Sequence, residues 1–95
     1  MYVYIDGALV PHYATLEVGA VTQIICLAAL KCDLRTCIMA AAVHYPDMIR
    51  EVTGLLKEKK LVLGIVIEYP DPDAPANKFG SSRVSIEKVT SWYGF

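Results

Sequence analysis

The polar and apolar positions divide the chain into a few segments of distinct period. Residues 1–7 alternate weakly and end in Asp6-Gly7, a turn pair, which reads as a short strand or a frayed arm over residues 1–12 that Pro11 interrupts. From Ala14 to Lys31 runs the most apolar stretch, in which only Thr22 and Gln23 carry polar side chains between Val18 and Leu30. Its many Ala and Leu residues and its lack of a period of two predict a helix. Leu16, Ala20 and Leu27 fall on one side of that helix and Val18, Val21 and Ile25 on the other, so a central helix buried all round is expected. Gly19, Ala20, Ala28 and Ala29 are small enough to admit a second helix at close range.

Residues 33–36 read as a turn, and Cys37-Ile38-Met39 as a short buried strand running into Ala40, Ala41, Ala42 and Val43. Tyr45-Pro46-Asp47 opens a second helix, with Pro suited to the first turn and Asp47 to its positive end. Ile49, Val52, Leu55 and Leu56 continue it at helical spacing, with Lys57, Lys59 and Lys60 at its C-terminal end. Residues 61–67 form a continuous apolar run, which predicts a strand buried on both faces. Pro70, Pro72 and Pro75 force an extended loop that continues to Arg83. Ser85 is placed to cap a short final helix reaching Trp92.

Composition sharpens this outline. A chain of 95 residues allows one small domain, and 55% apolar residues with 20% charged exclude a disordered polypeptide. Mean hydropathy is +0.40, high for a domain that hides only about 60–65% of its unfolded surface. Cover from a partner, most simply a dimer or higher oligomer, is therefore expected. The apolar helix, flanked by Glu17 and Lys31, is shorter than the roughly 20 apolar residues of a membrane span, so no membrane association is expected. Nine cations against ten anions, with no basic run beyond Lys59-Lys60, argue against nucleic acid as the main ligand.

The chemistry-bearing residues are few. Cys26, Cys32 and Cys37 are odd in number and form no CxxC, so free thiols in a reducing cytosol are expected, with Cys37 an inert core thiol beside Arg35. No basic segment precedes an apolar run in the manner of a signal peptide, and a cytoplasmic location is expected. His12 and His44 do not complete a zinc site, and no metal is expected. His44 has no carboxylate or nucleophile near it in sequence and reads as a surface or packing residue. Asp71 and Asp73 read as turn formers because the loop lacks the six or more oxygen ligands of a calcium site. Residues 77–83 combine Asn77, Lys78, Gly80, Ser81, Ser82 and Arg83, a set able to wrap an anion such as phosphate. No catalytic side-chain constellation is evident.

Several blocks in order do carry a family signal. Residues 13–23 (Tyr-Ala-Thr-Leu-Glu-Val-Gly-Ala-Val-Thr-Gln), 25–29, Thr36-Cys37-Ile38-Met39, Tyr45-Pro46-Asp47, Gly64-Ile65, residues 69–77, Ser81-Ser82-Arg83 and Trp92-Tyr93-Gly94-Phe95 together resemble the C-terminal half of the nitroreductase family. The resemblance implies an α+β fold, half of a nitroreductase-like sandwich, with a long buried dimer helix at residues 14–31, a short sheet and an extended C-terminal tail around Phe95. It implies FMN at a subunit interface, reduced by NAD(P)H in a ping-pong cycle that passes hydride to nitroaromatic or quinone-type acceptors. In such enzymes the flavin carries the chemistry, so no catalytic side chain is assigned.

By position, Met39, Ala40, Ala41 and Ala42 match the stretch whose backbone lies against the flavin ring. Ser81, Ser82 and Arg83 match part of the phosphate site. The family's N-terminal half, with its Arg-Ser-x-Arg phosphate grip, is absent. Asp33, Arg35, Ala40 and Glu68 stand where similar sequences carry Gly, Ala42 where they carry Pro, and Ile24 where they carry Asn. The implied function is an FMN-dependent oxidoreductase active as an oligomer or with a complementary chain supplying the missing half. The alternative is a flavin-free truncated relative that acts as a dimeric interaction module.

Overall fold

The computed structural model describes residues 1–94. Three strands form one antiparallel sheet in the order β1-β3-β2: β1 (Tyr2–Asp6), β2 (Arg35–Met39) and β3 (Lys59–Glu68). β1 and β2 both run antiparallel to the central β3 and hence parallel to each other. A parallel pair needs a crossover, and the long helix α1 (Pro11–Leu30) supplies it. A 3₁₀ turn (Ala40–Val43) and helix α2 (Pro46–Thr53) then link β2 to β3. After β3 come a 3₁₀ turn (Pro75–Lys78) and the short helix α3 (Ile86–Val89). The fold is α+β, as expected.

β1 resolves the ambiguity of the first residues in favour of a strand. Its ladder extends to the chain start, where the Met1 ammonium donates to the Ile65 carbonyl at 2.9 Å and the Ile65 N–H to the Met1 carbonyl at 2.8 Å. Lys59 Nζ holds Asp6 Oδ2 at 2.7 Å across the far end of the same pair. This contact and the Ala8 N–H hold the Asp6 carboxyl below its ordinary pKa, and the same pairing raises that of Lys59.

The helices occupy opposite faces of the sheet. Val3 and Ile5 of β1 line a cleft with Ala14 and Val18 of α1, whereas Tyr2 lines clefts with Ile49 and Thr53 of α2. This follows from the period of two along a strand. α1 starts with Pro11 in its first turn and ends where Asp33 takes the left-handed backbone at φ +58°. That position is one where the resembling sequences carry Gly; Asp is among the few other residues that adopt this conformation readily. α2 is held down by Arg50, which donates to the Lys59 carbonyl at 3.0 Å and to Asp47 Oδ1 at 3.3 Å.

Four sequence expectations need correction. The turn after α1 centres on residues 31–33, so Arg35 and Thr36 already belong to β2. α2 stops at Thr53 because Gly54 adopts φ +70° and its N–H caps the Arg50 carbonyl at 2.8 Å. Leu55 and Leu56 therefore lie past the helix, and Lys59 and Lys60 begin β3. The final helix ends at Val89, because Thr90 is extended. The fourth concerns burial. Ile65 is 2% exposed at the centre of β3, but Val66 and Ile67 are open, and β2 is exposed at Cys37, Ile38 and Met39. Cys37 is thus an exposed thiol.

The same holds for α1. Only Ala14, Val18, Thr22 and Ala29 are buried, a single stripe against the sheet. Leu16, Ile24 and Leu27 lie on the opposite side of the helix and are exposed, Leu16 at 72%. By length and composition α1, with 20 residues, could cross a bilayer. Its contacts with all three strands make it a layer of this fold instead.

The chain as a whole is open. Its accessible surface is 7908 Å², against about 5,400 Å² for a compact monomer of this mass. Its radius of gyration is 17.1 Å, against about 12 Å for a compact domain of this length.

Candidate functional site

Met39 ends β2 in register with Gly64 of β3, and the chain then turns sharply through Ala40, Ala41 and Ala42. Gly64 makes that turn fit. A Cβ on Gly64 would stand 2.8 Å from the Ala42 Cβ, far inside van der Waals contact. A lone Gly inside an apolar strand run is the sequence sign of such an approach, and it was legible in residues 61–67. The turn is closed by the His44 N–H, which donates to the Ala41 carbonyl at 3.2 Å. His44 itself is exposed.

A cleft of about 260 Å³ opens beside the turn, lined by Met1, Tyr2, Met39, Ala42, Gly64, Ile65 and Val66. Tyr2 and Met1, assigned by pattern only to a strand or arm, are thereby part of the cleft's wall. Their signal is not in their own segment; it is the β1–β3 pairing that brings them there. Ala40 and Ala41 are exposed, so a short stretch of backbone bearing only methyl groups faces outward. Such a surface lets a flat aromatic ring come close to backbone N–H groups without side-chain hindrance.

Ser81, Ser82 and Arg83 lie in the extended segment between the 3₁₀ turn Pro75–Lys78 and α3, and all three are exposed. The Arg83 guanidinium folds back, donating to Ser81 Oγ at 2.8 Å and to the Ser82 carbonyl at 2.9 Å. The cation and the Ser81 hydroxyl thus sit together, residue types whose N–H and O–H groups suit phosphate. These residues do not line the cleft beside Met39 and Ala42. The turn at residues 40–42 is thus apolar, and the segment at residues 81–83 carries a cation and hydroxyls. The residue chemistry fits FMN at both ends.

The proline-rich loop acts structurally. Asp71 Oδ1 accepts the Asp73 N–H at 2.9 Å, and Asn77 Nδ2 donates to the Asp71 carbonyl at 2.6 Å. A cleft of about 390 Å³ between this loop and the ends of β2 and β3 is lined by Arg35, Cys37, Glu68, Tyr69 and Asp71 among others. Among the described residues no cluster of three or more His, Cys, Asp or Glu could hold a metal ion. The tail position of Phe95 falls outside the described residues.

No family model and no curated protein matches the sequence. Solved structures do match. The crystal structure of the FMN and NADPH-dependent nitroreductase NfnB from sphigopyxis sp. strain HMH superposes with a TM-score of 0.84 at 25% identity. The match covers 99% of this chain and 42% of that one. A single-substitution variant of the same enzyme gives the same TM-score and identity, with 44% of its chain covered. The present chain spans less than half the length of the nitroreductases it matches.

Proposed function

The chain has the fold of a partial nitroreductase, and from that premise we propose that it is part of an FMN-dependent oxidoreductase that passes hydride from NAD(P)H to nitroaromatic or quinone-type acceptors. The observation that carries this reading is the superposition over 99% of the chain on an FMN and NADPH-dependent enzyme. It gives one account of the methyl-lined turn, the nearby cleft and the Ser-Ser-Arg cluster.

FMN, when bound, supplies the hydride-transfer chemistry, so the chain's own task is to bind and orient. The turn at Met39, Ala40, Ala41 and Ala42 presents backbone N–H groups and methyl surface to the ring and excludes water from one side of it. Arg83 and the hydroxyls of Ser81 and Ser82 hold the phosphate by charge-assisted hydrogen bonds. Because Ala40, Ala41, Ser81, Ser82 and Arg83 are all exposed in one copy, the enclosing walls come from assembly. At the least this is a homodimer through the outer stripe of α1, with Leu16, Ile24 and Leu27 at its centre. A cytoplasmic setting suits three free thiols.

Flavin content tests the reading directly. The purified protein is expected to be yellow, to release FMN on denaturation, and to oxidise NAD(P)H when a nitroaromatic or quinone is supplied. A colourless protein that takes up no added FMN would leave a flavin-free relative serving as an interaction module.

A further inference from the structure

We propose that Gly64 is a positioning residue for FMN: its missing side chain sets how far the turn of residues 40–42 stands from the sheet, and so where the turn meets the flavin ring. The inference rests on the FMN reading above and adds to it a residue of β3 that acts through Ala42.

Three constraints hold the turn. At its start, Met39 is paired with Gly64 in the β2–β3 ladder. At its end, the His44 N–H donates to the Ala41 carbonyl at 3.2 Å, and Pro46 begins α2 two residues later. Between these ends the Ala42 methyl rests against Gly64, where a Cβ would stand 2.8 Å from it. The first two constraints fix the ends of the turn, and the third sets its height.

A methyl at position 64 would have to move one side of that contact. β3 is the side that holds, because Ile65 is 2% exposed and both its N–H and its carbonyl are tied to Met1. Ala42 is the side that yields. Alanine has no side-chain torsion with which to swing its methyl aside, so the push passes straight to the backbone.

Carbon atoms pack at about 3.5–4.0 Å, so Ala42 would be driven outward by about 1 Å. That exceeds the whole spread of N–H donor distances, about 2.7–3.2 Å, and carries the turn's N–H groups away from a bound ring. Nothing else near position 64 resists a methyl. The Met39 carbonyl at 3.6 Å and Tyr2 Cε1 at 3.7 Å are at ordinary contact distance. The effect of Gly64 on the site is thus carried by the Ala42 methyl.

A double-substitution cycle on FMN affinity tests this. Dissociation constants for FMN are measured by fluorescence quenching for the unaltered protein, Gly64→Ala, Ala42→Gly and the pair, with folding checked by far-UV circular dichroism. Gly64→Ala is expected to weaken FMN binding about tenfold in the unaltered protein and less than about twofold beside Ala42→Gly, where the methyl has room. Gly54→Ala, strained at φ +70° at the far end of α2, controls for lost stability alone and is expected to leave the dissociation constant unchanged. Equal losses of affinity in both backgrounds, or no loss, overturn the proposal. If Gly64→Ala folds only together with Ala42→Gly, amide exchange of the unaltered protein decides. Added FMN is then expected to slow exchange at Ala40, Ala41 and Ala42 by about tenfold or more, and unchanged exchange overturns the proposal. An unaltered protein that takes up no FMN removes the proposed function and this inference together, whereas an FMN-binding protein with an additive cycle removes this inference alone.

Discussion

Gly64 and Ala42 meet so closely that no side chain fits between them: a Cβ at position 64 would sit 2.8 Å from the Ala42 Cβ. That contact sets the 3₁₀ turn against the centre of β3 and thereby fixes where the backbone of residues 39–42 emerges. Gly64→Ala is expected to destabilise the fold by about 1–3 kcal/mol, the usual cost of overpacking. Thermal unfolding measures the loss. Removing the opposing methyl with Ala42→Gly in the same chain should recover part of it, whereas additive losses would show that the two positions are not coupled.

Arg83 tests the anion patch. Arg83→Ala removes the charged donor beside Ser81 and Ser82, and FMN affinity is expected to fall about tenfold or more. Titration of FMN by fluorescence quenching gives the ratio. Because Arg83 is exposed and bonds only within its own segment among the described residues, the unfolding midpoint without FMN should hardly move. Equal FMN affinity in both proteins would remove Arg83 from the site.

Gly54 ends α2 with a left-handed backbone at φ +70°, and nothing crowds the space where a Cβ would stand. Backbone strain is then the whole effect of substitution. Gly54→Ala is expected to cost about 1–2 kcal/mol. Denaturant unfolding with an unchanged slope and a lower midpoint is the outcome that fits.

The Asp6–Lys59 pair gives a pH signature at both extremes. Asp6 is held below its ordinary pKa by Lys59 and the Ala8 N–H, so its contribution is present at neutral pH and fades as the pH falls below about 4. Lys59 is raised above its ordinary value by Asp6, so its contribution is full below about pH 10 and is lost as the pH rises beyond that. Asp6→Asn should flatten both limbs of the stability profile by a small amount, since the pair is partly exposed. A profile unchanged at both ends would show that the pair contributes nothing.

Much of this protein was legible in order along the chain. The long, largely apolar stretch at residues 14–31 and the unbroken apolar run at 61–67 specify a helix and a central strand because their composition and period leave few alternatives. Pro46 with Asp47 specifies the start of α2, and the three prolines after Tyr69 specify the end of β3. The resemblance placed residues 39–42 and 81–83 as candidates before any geometry was known. Local signals decide such features, since they depend on dihedral preference and periodicity within a few residues.

Pairing and burial were not legible in the same way. That Tyr2 lies beside Ala42 depends on β1 pairing with β3 across some sixty residues of intervening chain. Whether an apolar residue is covered depends on what packs above it, and Leu16, Ile24, Met48 and Val52 are left largely exposed by the described residues. Sequence alone determined which surfaces are oily. The tertiary structure decided that they face away from each other on opposite sides of one thin sheet, because side chains alternate along a strand and each helix can cover only one face.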